Sequence, residues 1–222
     1  YIFSKCGIVE RNRKEIFMKY LTFALAKGRL AKKSMKMFEQ IGIICEEMKD
    51  EHSRKLIFVN EELKYRFFLS KAPDVPTYVE QGVADLGVVG SDTIAEKLFN
   101  VLNVSELPFG QCRLAIAGPT NLDESDIKVV ATSFPNITRK YFNQQKQDVS
   151  LIFLNGSVEL APILGLADAI VDIVQTGTTL KENDLEEYKT ILPVQARLIA
   201  NKQSFYTKEK EIYKFMQEIE VV

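Results

Sequence analysis

The chain has 222 residues, 46% of them hydrophobic and 27% charged, the balance of a globular protein long enough for one large domain or two small ones. Its 29 basic and 30 acidic side chains leave a net charge of −1, which argues against a nucleic-acid partner, and no apolar run approaches the roughly 20 residues that span a bilayer. A single histidine, His52, leaves little room for a histidine-based triad or metal site, and three widely spaced cysteines (Cys6, Cys45, Cys112) read as reduced thiols of a cytosolic protein.

Residues 1–17 are charge-rich and lack the apolar core of a secretory signal, so they are expected to be an N-terminal extension outside the core and a candidate for a non-native segment. From Met18 the pattern becomes regular: a strand over Leu21–Leu25, a turn at Ala26-Lys27-Gly28-Arg29-Leu30, and a helix over Ala31–Ile41 with Leu30, Met35, Phe38 and Ile41 at helical spacing. Strands are predicted over Ile43–Glu47, Leu56–Val59 and Tyr65–Leu69. Ala72-Pro73-Asp74-Val75-Pro76 opens a helix through Gln81, with proline in the first turn where its missing donor costs nothing. Asp85–Val89 reads as a buried, parallel strand. Further along come strands Arg113–Ala117, Lys128–Ala131 and Leu151–Leu154, a helix from Pro135 through Gln144, and a helix over Val158–Leu164 capped by Ser157. Leu180–Tyr188 reads as a helix, and so does Thr207–Ile219, whose stripe of Ile212, Phe215, Met216 and Ile219 suits core packing better than a partner groove.

A weak repeat links two of these stretches. Val79-Glu-Gln-Gly82-Val-Ala84-Asp85-Leu and Ile163-Leu-Gly165-Leu-Ala167-Asp168-Ala each end a helix at a glycine and pass through Ala-Asp into a buried strand. Each strand then runs into a glycine/hydroxyl turn, Gly90-Ser91-Asp92-Thr93 or Thr176-Gly177-Thr178-Thr179. Two similar α/β lobes follow, with ligands expected at the carboxyl ends of their strands. The boundaries fall at Leu107-Pro108-Phe109-Gly110 and Leu192-Pro193-Val194: a first lobe over 18–108 completed by 191–222, and a second over 109–190. The turn Thr176–Thr179 has the makings of a phosphate cradle, since helix-start N–H groups lack partners, glycine admits the anion and hydroxyls add donors. Asp168 and Asp172, four apart on a strand, share a face and could bind ribose hydroxyls or a magnesium ion. A phosphorylated sugar is the ligand this arrangement suits.

From Leu21 to about Ser204 the chain resembles the ATP phosphoribosyltransferase family in its short form. The likeness rests on Ala26-Lys27-Gly28-Arg29, Arg54-Lys55-Leu56, Asp74-Val75-Pro76, the run Gly82 to Asp92, Pro135-Asn136 and Leu154-Asn-Gly156-Ser157-Val-Glu159. Above all it rests on a signature from Glu159 through Gly165, Ala167, Ile170, Asp172, Thr176, Gly177 and Thr179 to Leu180. The resemblance implies two periplasmic-binding-protein-like α/β lobes with a central cleft, and transfer of phosphoribosyl from phosphoribosyl pyrophosphate to adenine N1 of ATP with magnesium. It assigns Arg29, Arg54 and Lys55 as catalytic cations. It gives Lys27, Gly28, Asp74, Gly90 and Asp92 to ATP, and Glu159, Asp168, Asp172 and Thr176–Thr179 to phosphoribosyl pyrophosphate, with Asp168 and Asp172 nearest the metal. It also implies a separate regulatory subunit resembling histidyl-tRNA synthetase, which would confer histidine sensitivity. A solute-binding module of the same two-lobed build and a catalytically idle subunit are the rival readings. Neither an export signal nor the loss of the turn or of the cations supports them.

Overall fold

The computed structural model describes residues 20–48, 55–120 and 122–221. The expected extension over 1–17 lies outside these. The described residues divide into two compact units, one of residues up to Gly90 with Phe99–Gly110 and Ala196–Val222, the other of Ser91–Leu98 and Gln111–Gln195.

The first unit holds strands β1 (Leu21–Ala26), β2 (Ile57–Asn60), β3 (Tyr65–Ser70), β4 (Leu86–Gly90), β5 (Leu102–Glu106) and β11 (Ala196–Ala200). Its helices are α1 (Arg29–Gln40), α2 (Val75–Glu80), α7 (Lys202–Thr207) and α8 (Glu209–Ile219). The sheet order is β2-β3-β1-β4-β11-β5, with β3, β1 and β4 parallel and β11 antiparallel to both its neighbours. β1 is buried at every position, as a central parallel strand covered on both faces requires. Phe23 stacks on Phe67 at 5.3 Å between centroids and meets Phe215 of α8 edge-on at 4.9 Å. The stripe Ile212, Phe215 and Ile219 is therefore core, with Met216 packed beside it.

One expected strand is absent: residues 43–45 carry no ladder, and Glu46–Met48 form a 3-10 turn. Gly42 turns the chain at φ 81°, the Ile43 N–H bonds back to the Phe38 carbonyl at 2.8 Å, and Ile43 and Cys45 plug the core beside α1. The alternation that read as a strand is burial of alternate side chains without a pairing partner.

The second unit contains β6 (Cys112–Pro119), β7 (Val129–Thr132), β8 (Ser150–Phe153), β9 (Ala169–Val174) and β10 (Leu185–Val194). Its helices are α3 (Ser91–Glu96), α4 (Pro135–Gln145), α5 (Leu160–Ile163) and α6 (Thr178–Glu182). The sheet order is β10-β6-β9-β7-β8. Matched against β5-β11-β4-β1-β3, it repeats the first unit strand for strand, including which pairs are parallel and which antiparallel.

Compared with the division drawn from sequence, the breaks sit at 110/111 and 195/196, and Ser91–Leu98 goes to the second unit. The helix expected over Leu180–Tyr188 stops at Glu182. Asp184 turns the chain at φ 55°, and β10 begins at Leu185, paired antiparallel to β6. Ser157 does not cap α5 either: it sits at φ 49°, and the helix starts later, at Leu160.

The repeated Ala-Asp has one structural job in both units. The Asp85 carboxylate accepts the Thr22 N–H at 2.8 Å, while the Asp85 N–H donates to the Thr22 carbonyl at 2.9 Å. Likewise the Asp168 carboxylate accepts the N–H groups of Lys128 and Val129 at 2.9 and 2.8 Å, and the Asp168 N–H donates to Val129 at 2.9 Å. Each aspartate thus fixes the start of the neighbouring parallel strand, where edge N–H groups otherwise lack acceptors. Glu96 fixes α3 to α4 in a similar way. Its carboxylate accepts the Asn136 and Ile137 N–H groups at 2.9 and 3.1 Å and so caps a helix whose own N-cap residue, Phe134, offers no side-chain bond.

Candidate active site

In the second unit the turn expected to cradle phosphate lies at the carboxyl end of β9. Gly177, at φ 76° and ψ 5°, is the N-cap of α6, a conformation that costs other residues roughly 1–2 kcal/mol. A Cβ added there would meet only Val174, at 3.9 Å, so the approach to the turn is open. The Thr176 and Thr178 hydroxyls stand 2.9 Å apart, and both residues and Thr179 are exposed. The first N–H groups of α6 have no acceptor within the helix.

Asp172 stands on β9 with the same parity as Ile170 and Val174, which pack with Val158, Ala161 and Leu180 of the α5–α6 face. Burial pushes its carboxyl up to about 6, and the charges of Glu159 and Asp92 push the same way. Asp92, at the start of α3, is also raised by burial. A half-buried acid among acids is costly in a structural role and suits a hydrogen-bonding partner for ligand hydroxyls. Its cross-strand neighbour on β6 is Ala115, so no long side chain covers it from that strand.

The structure separates residues that the sequence put together. Asp168 precedes β9, at the far end of the strand from Thr176, and its carboxylate is taken by backbone N–H groups of 128 and 129. Parity does place Asp168 and Asp172 alike, but four residues of strand span roughly 13 Å. Conversely, Asp92, assigned by resemblance with Lys27 and Gly28, falls in the second unit and couples to Asp172 and Glu159. Among the described residues no group of three or more His, Cys, Asp or Glu side chains could hold a metal ion. The described residues alone do not make a magnesium cage.

In the first unit, Lys27, Gly28 and Arg29 follow β1, Asp74 follows β3, and Gly90 ends β4, all at the carboxyl ends of adjacent parallel strands. Gly28 has φ 98° and ψ −137°, a region closed to side-chain-bearing residues, and a Cβ there would meet nothing within 4 Å. The first turn of α1 has no acid, while Arg29, Lys32 and Lys33 crowd its start. Cations at the positive end of a helix work against its dipole, an arrangement that an arriving anion would relieve. Lys32 and Lys33 escaped the sequence reading, although this misplaced charge was visible there. Asp74 is exposed, and its side chain caps nothing. Lys55 forms a 2.5 Å ion pair with Glu47, both about half exposed, and Arg54 lies outside the described residues.

A family model described as ATP phosphoribosyltransferase matches residues 71–221. The ATP phosphoribosyltransferase of Lachnospira eligens is 54% identical over 207 residues, covering 91% of this chain and 96% of that one. That of Lachnoclostridium phytofermentans is 55% identical over 210 residues, covering 92% and 98%. Among solved structures, the ATP phosphoribosyl transferase (HisG:HisZ) complex from Thermotoga maritima superposes with a TM-score of 0.77 at 36% identity, over 90% of this chain and 96% of that one. The alkanesulfonate-binding protein SsuA from Xanthomonas axonopodis pv. citri, 12% identical with a TM-score of 0.58 over 90% of this chain and 72% of its own, shares the periplasmic-binding-protein-like fold. With this match over nine-tenths of its length, the chain belongs to the ATP phosphoribosyltransferase family.

Proposed function

We propose that the second unit binds phosphoribosyl pyrophosphate and that the cationic strand ends of the first unit take the phosphates of ATP. The observation that carries this is the turn Thr176–Thr179, an open, glycine-capped helix start one element away from an acid, Asp172, held at about 6. N–H groups and hydroxyls suit the 5-phosphate, and Asp172 with Glu159 suits the ribose hydroxyls.

The reaction of the family joins adenine N1 to the anomeric carbon and releases pyrophosphate, the first step of histidine biosynthesis. Adenine N1 already carries a lone pair, so the chemistry needs no histidine base. The barrier lies in breaking the bond to pyrophosphate through a cationic, sugar-centred transition state. Cations aimed at the departing charge are the largest expected contribution, and Arg29, Arg54 and Lys55 are assigned to it. Lys55 must then leave its Glu47 partner to act. Magnesium, for which the described residues form no cage, is proposed to arrive bound to the substrate phosphates. The Thermotoga maritima structure is a complex of two kinds of chain, which supports a hetero-oligomer with a regulatory, synthetase-like subunit here. Cys45 and Cys112 are free thiols, in keeping with the cytoplasm as the proposed compartment.

The test is to incubate the purified chain with ATP, phosphoribosyl pyrophosphate and Mg²⁺ and follow phosphoribosyl-ATP by its ultraviolet absorbance. Product is expected, with a rate at limiting phosphoribosyl pyrophosphate that falls in Gly177→Val. A folded chain that makes no product, alone or with its regulatory subunit, overturns the reading.

A further inference from the structure

We propose that Arg113 is a positioning residue for the phosphate turn, acting through the Gln175 carbonyl; this rests on the assignment of Thr176–Thr179 to the sugar phosphate. Arg113 lies on β6, opposite Val174 of β9 and Pro193 of β10. The β6–β9 ladder ends at the Arg113–Val174 pair. One residue further, the Gln175 carbonyl accepts Arg113 Nη1 at 3.1 Å, so the side chain continues the ladder past its last backbone pair and into the residue before Thr176.

The guanidinium is itself held. Its Nε donates to the Glu187 carboxylate at 2.8 and 2.9 Å, and Nη2 donates to the same group at 2.5 Å. Glu187 also accepts the Thr190 hydroxyl at 2.9 Å, and it sits at an irregularity of the β10–β6 ladder, between Glu187 and Lys189. Bulges of this kind re-aim a side chain. The result is a chain of contacts Thr190–Glu187–Arg113–Gln175 leading to the turn. Only a planar fork with several donors fixed in one frame can hold a carboxylate with one edge and a carbonyl with another. Arg113 touches no position assigned to substrate, so its influence passes through the backbone of 175 to the geometry of Thr176 and Gly177.

A merely structural role, pinning β10 to β6, makes a different prediction, and Arg113→Lys separates the two. Lysine can restore the ion pair to Glu187 but cannot also hold the Gln175 carbonyl in a fixed frame. With positioning, Arg113→Lys keeps its melting temperature and its KM for ATP, while its KM for phosphoribosyl pyrophosphate rises about tenfold. That is short of the roughly hundredfold that a 1 Å misplacement can cost. Glu187→Gln, which loosens the fork without removing it, should raise that KM roughly threefold. Binding of ribose 5-phosphate, measured by calorimetry on folded variants, should weaken in the same order, whether or not turnover is detected. If Arg113→Lys binds ribose 5-phosphate as the parent does, or if both KM values and kcat shift together with the melting temperature, Arg113 is a structural tie and the proposal fails. A parent chain that binds ribose 5-phosphate but forms no phosphoribosyl-ATP would instead overturn the assigned reaction and leave this inference standing.

Discussion

The two units share one strand order yet furnish their strand ends with opposite charge. The first crowds Lys27, Arg29, Lys32 and Lys33 at the end of β1 and the start of α1. The second gathers Asp92, Glu159 and Asp172 near the end of β9 and leaves the turn beyond it to neutral threonines and a glycine. A common scaffold therefore carries different chemistry at its strand ends, and under the proposed assignment the residues just past the strands would set which ligand each unit prefers. Polyphosphate calls for cations; sugar hydroxyls call for carboxylates, with backbone N–H groups for a single phosphate. The cost is visible in both units, as cations against a helix dipole in one and, in the other, as the burial that makes Asp92 and Asp172 harder to ionise.

The contrast can be broken from either side. The largest effect is expected at Arg29: Arg29→Ala should lower kcat by about two to three orders of magnitude, the scale of roughly 3–4 kcal/mol for one charge-stabilising donor. Steady-state kinetics check it, and a change confined to KM would make Arg29 a clamp for the ground state. Next comes Gly177→Val, which should raise the KM for phosphoribosyl pyrophosphate at least tenfold through the φ 76° conformation and the blocked approach, leaving the KM for ATP alone. The open space around its Cβ predicts that the variant stays folded, which circular dichroism reads directly.

Asp172 sharpens the comparison through pH. Its folded carboxyl is raised from 3.8 to about 6, so the native state holds the proton more tightly than the unfolded one. Stability therefore falls as pH rises from about 4 to about 6 and is flat above. A rise of this size corresponds to roughly 3 kcal/mol at most, which solvent screening of a partly exposed strand reduces to about 1–2 kcal/mol. Asp172→Asn should stabilise the chain by that amount at pH 7.5, gain nothing at pH 3.5, and lose affinity for phosphoribosyl pyrophosphate. Denaturant melts at the two pH values test this, and equal gains at both would remove the charge explanation. Asp168→Asn is the converse. It should cost about 1 kcal/mol of stability through weakened strand-start bonds, with KM unchanged. Smallest is Glu187, which the Arg113 hydrogen bond holds below the usual carboxylate range. Its contribution is present above the unfolded pKa and lost as pH falls through the folded one, so the benefit of Arg113 should fade in melts below about pH 4.

Much of this was legible in the residues. The Ala-Asp repeat marks true structural equivalence, β4 with β9, because both copies perform the same backbone bonding with Thr22 or Val129. The helix start just past Gly177 also follows from local chemistry. What failed was non-local. Leu180–Tyr188 has the composition of a helix, but β6 offers a ladder that the local sequence does not announce. Asp168 and Asp172 read as a pair by spacing; which carboxylate is free depends on Val129, 39 positions away from Asp168 along the chain. Asp92 adds its charge to Asp172 because residues 91–98 belong to the second unit, where Glu96 bonds the start of α4, and no window of sequence shows that.

The placement of β11 between β4 and β5 has a consequence for how the chain is made. The second unit has every strand available once Val194 has emerged, whereas the sheet begun at Leu21 waits for Ala196–Ala200. Asp85 waits longer still, for Ser204 and Lys208, which bond its carboxylate at 2.7 Å each. During translation at roughly 5–20 residues per second, β4 and β5 stay open while residues 107–195 are added, a span of about 5–20 s. The domain started first is thus completed last. Its apolar strand Leu86–Gly90, buried at every position in the finished protein, keeps one edge unpaired until β11 leaves the ribosome.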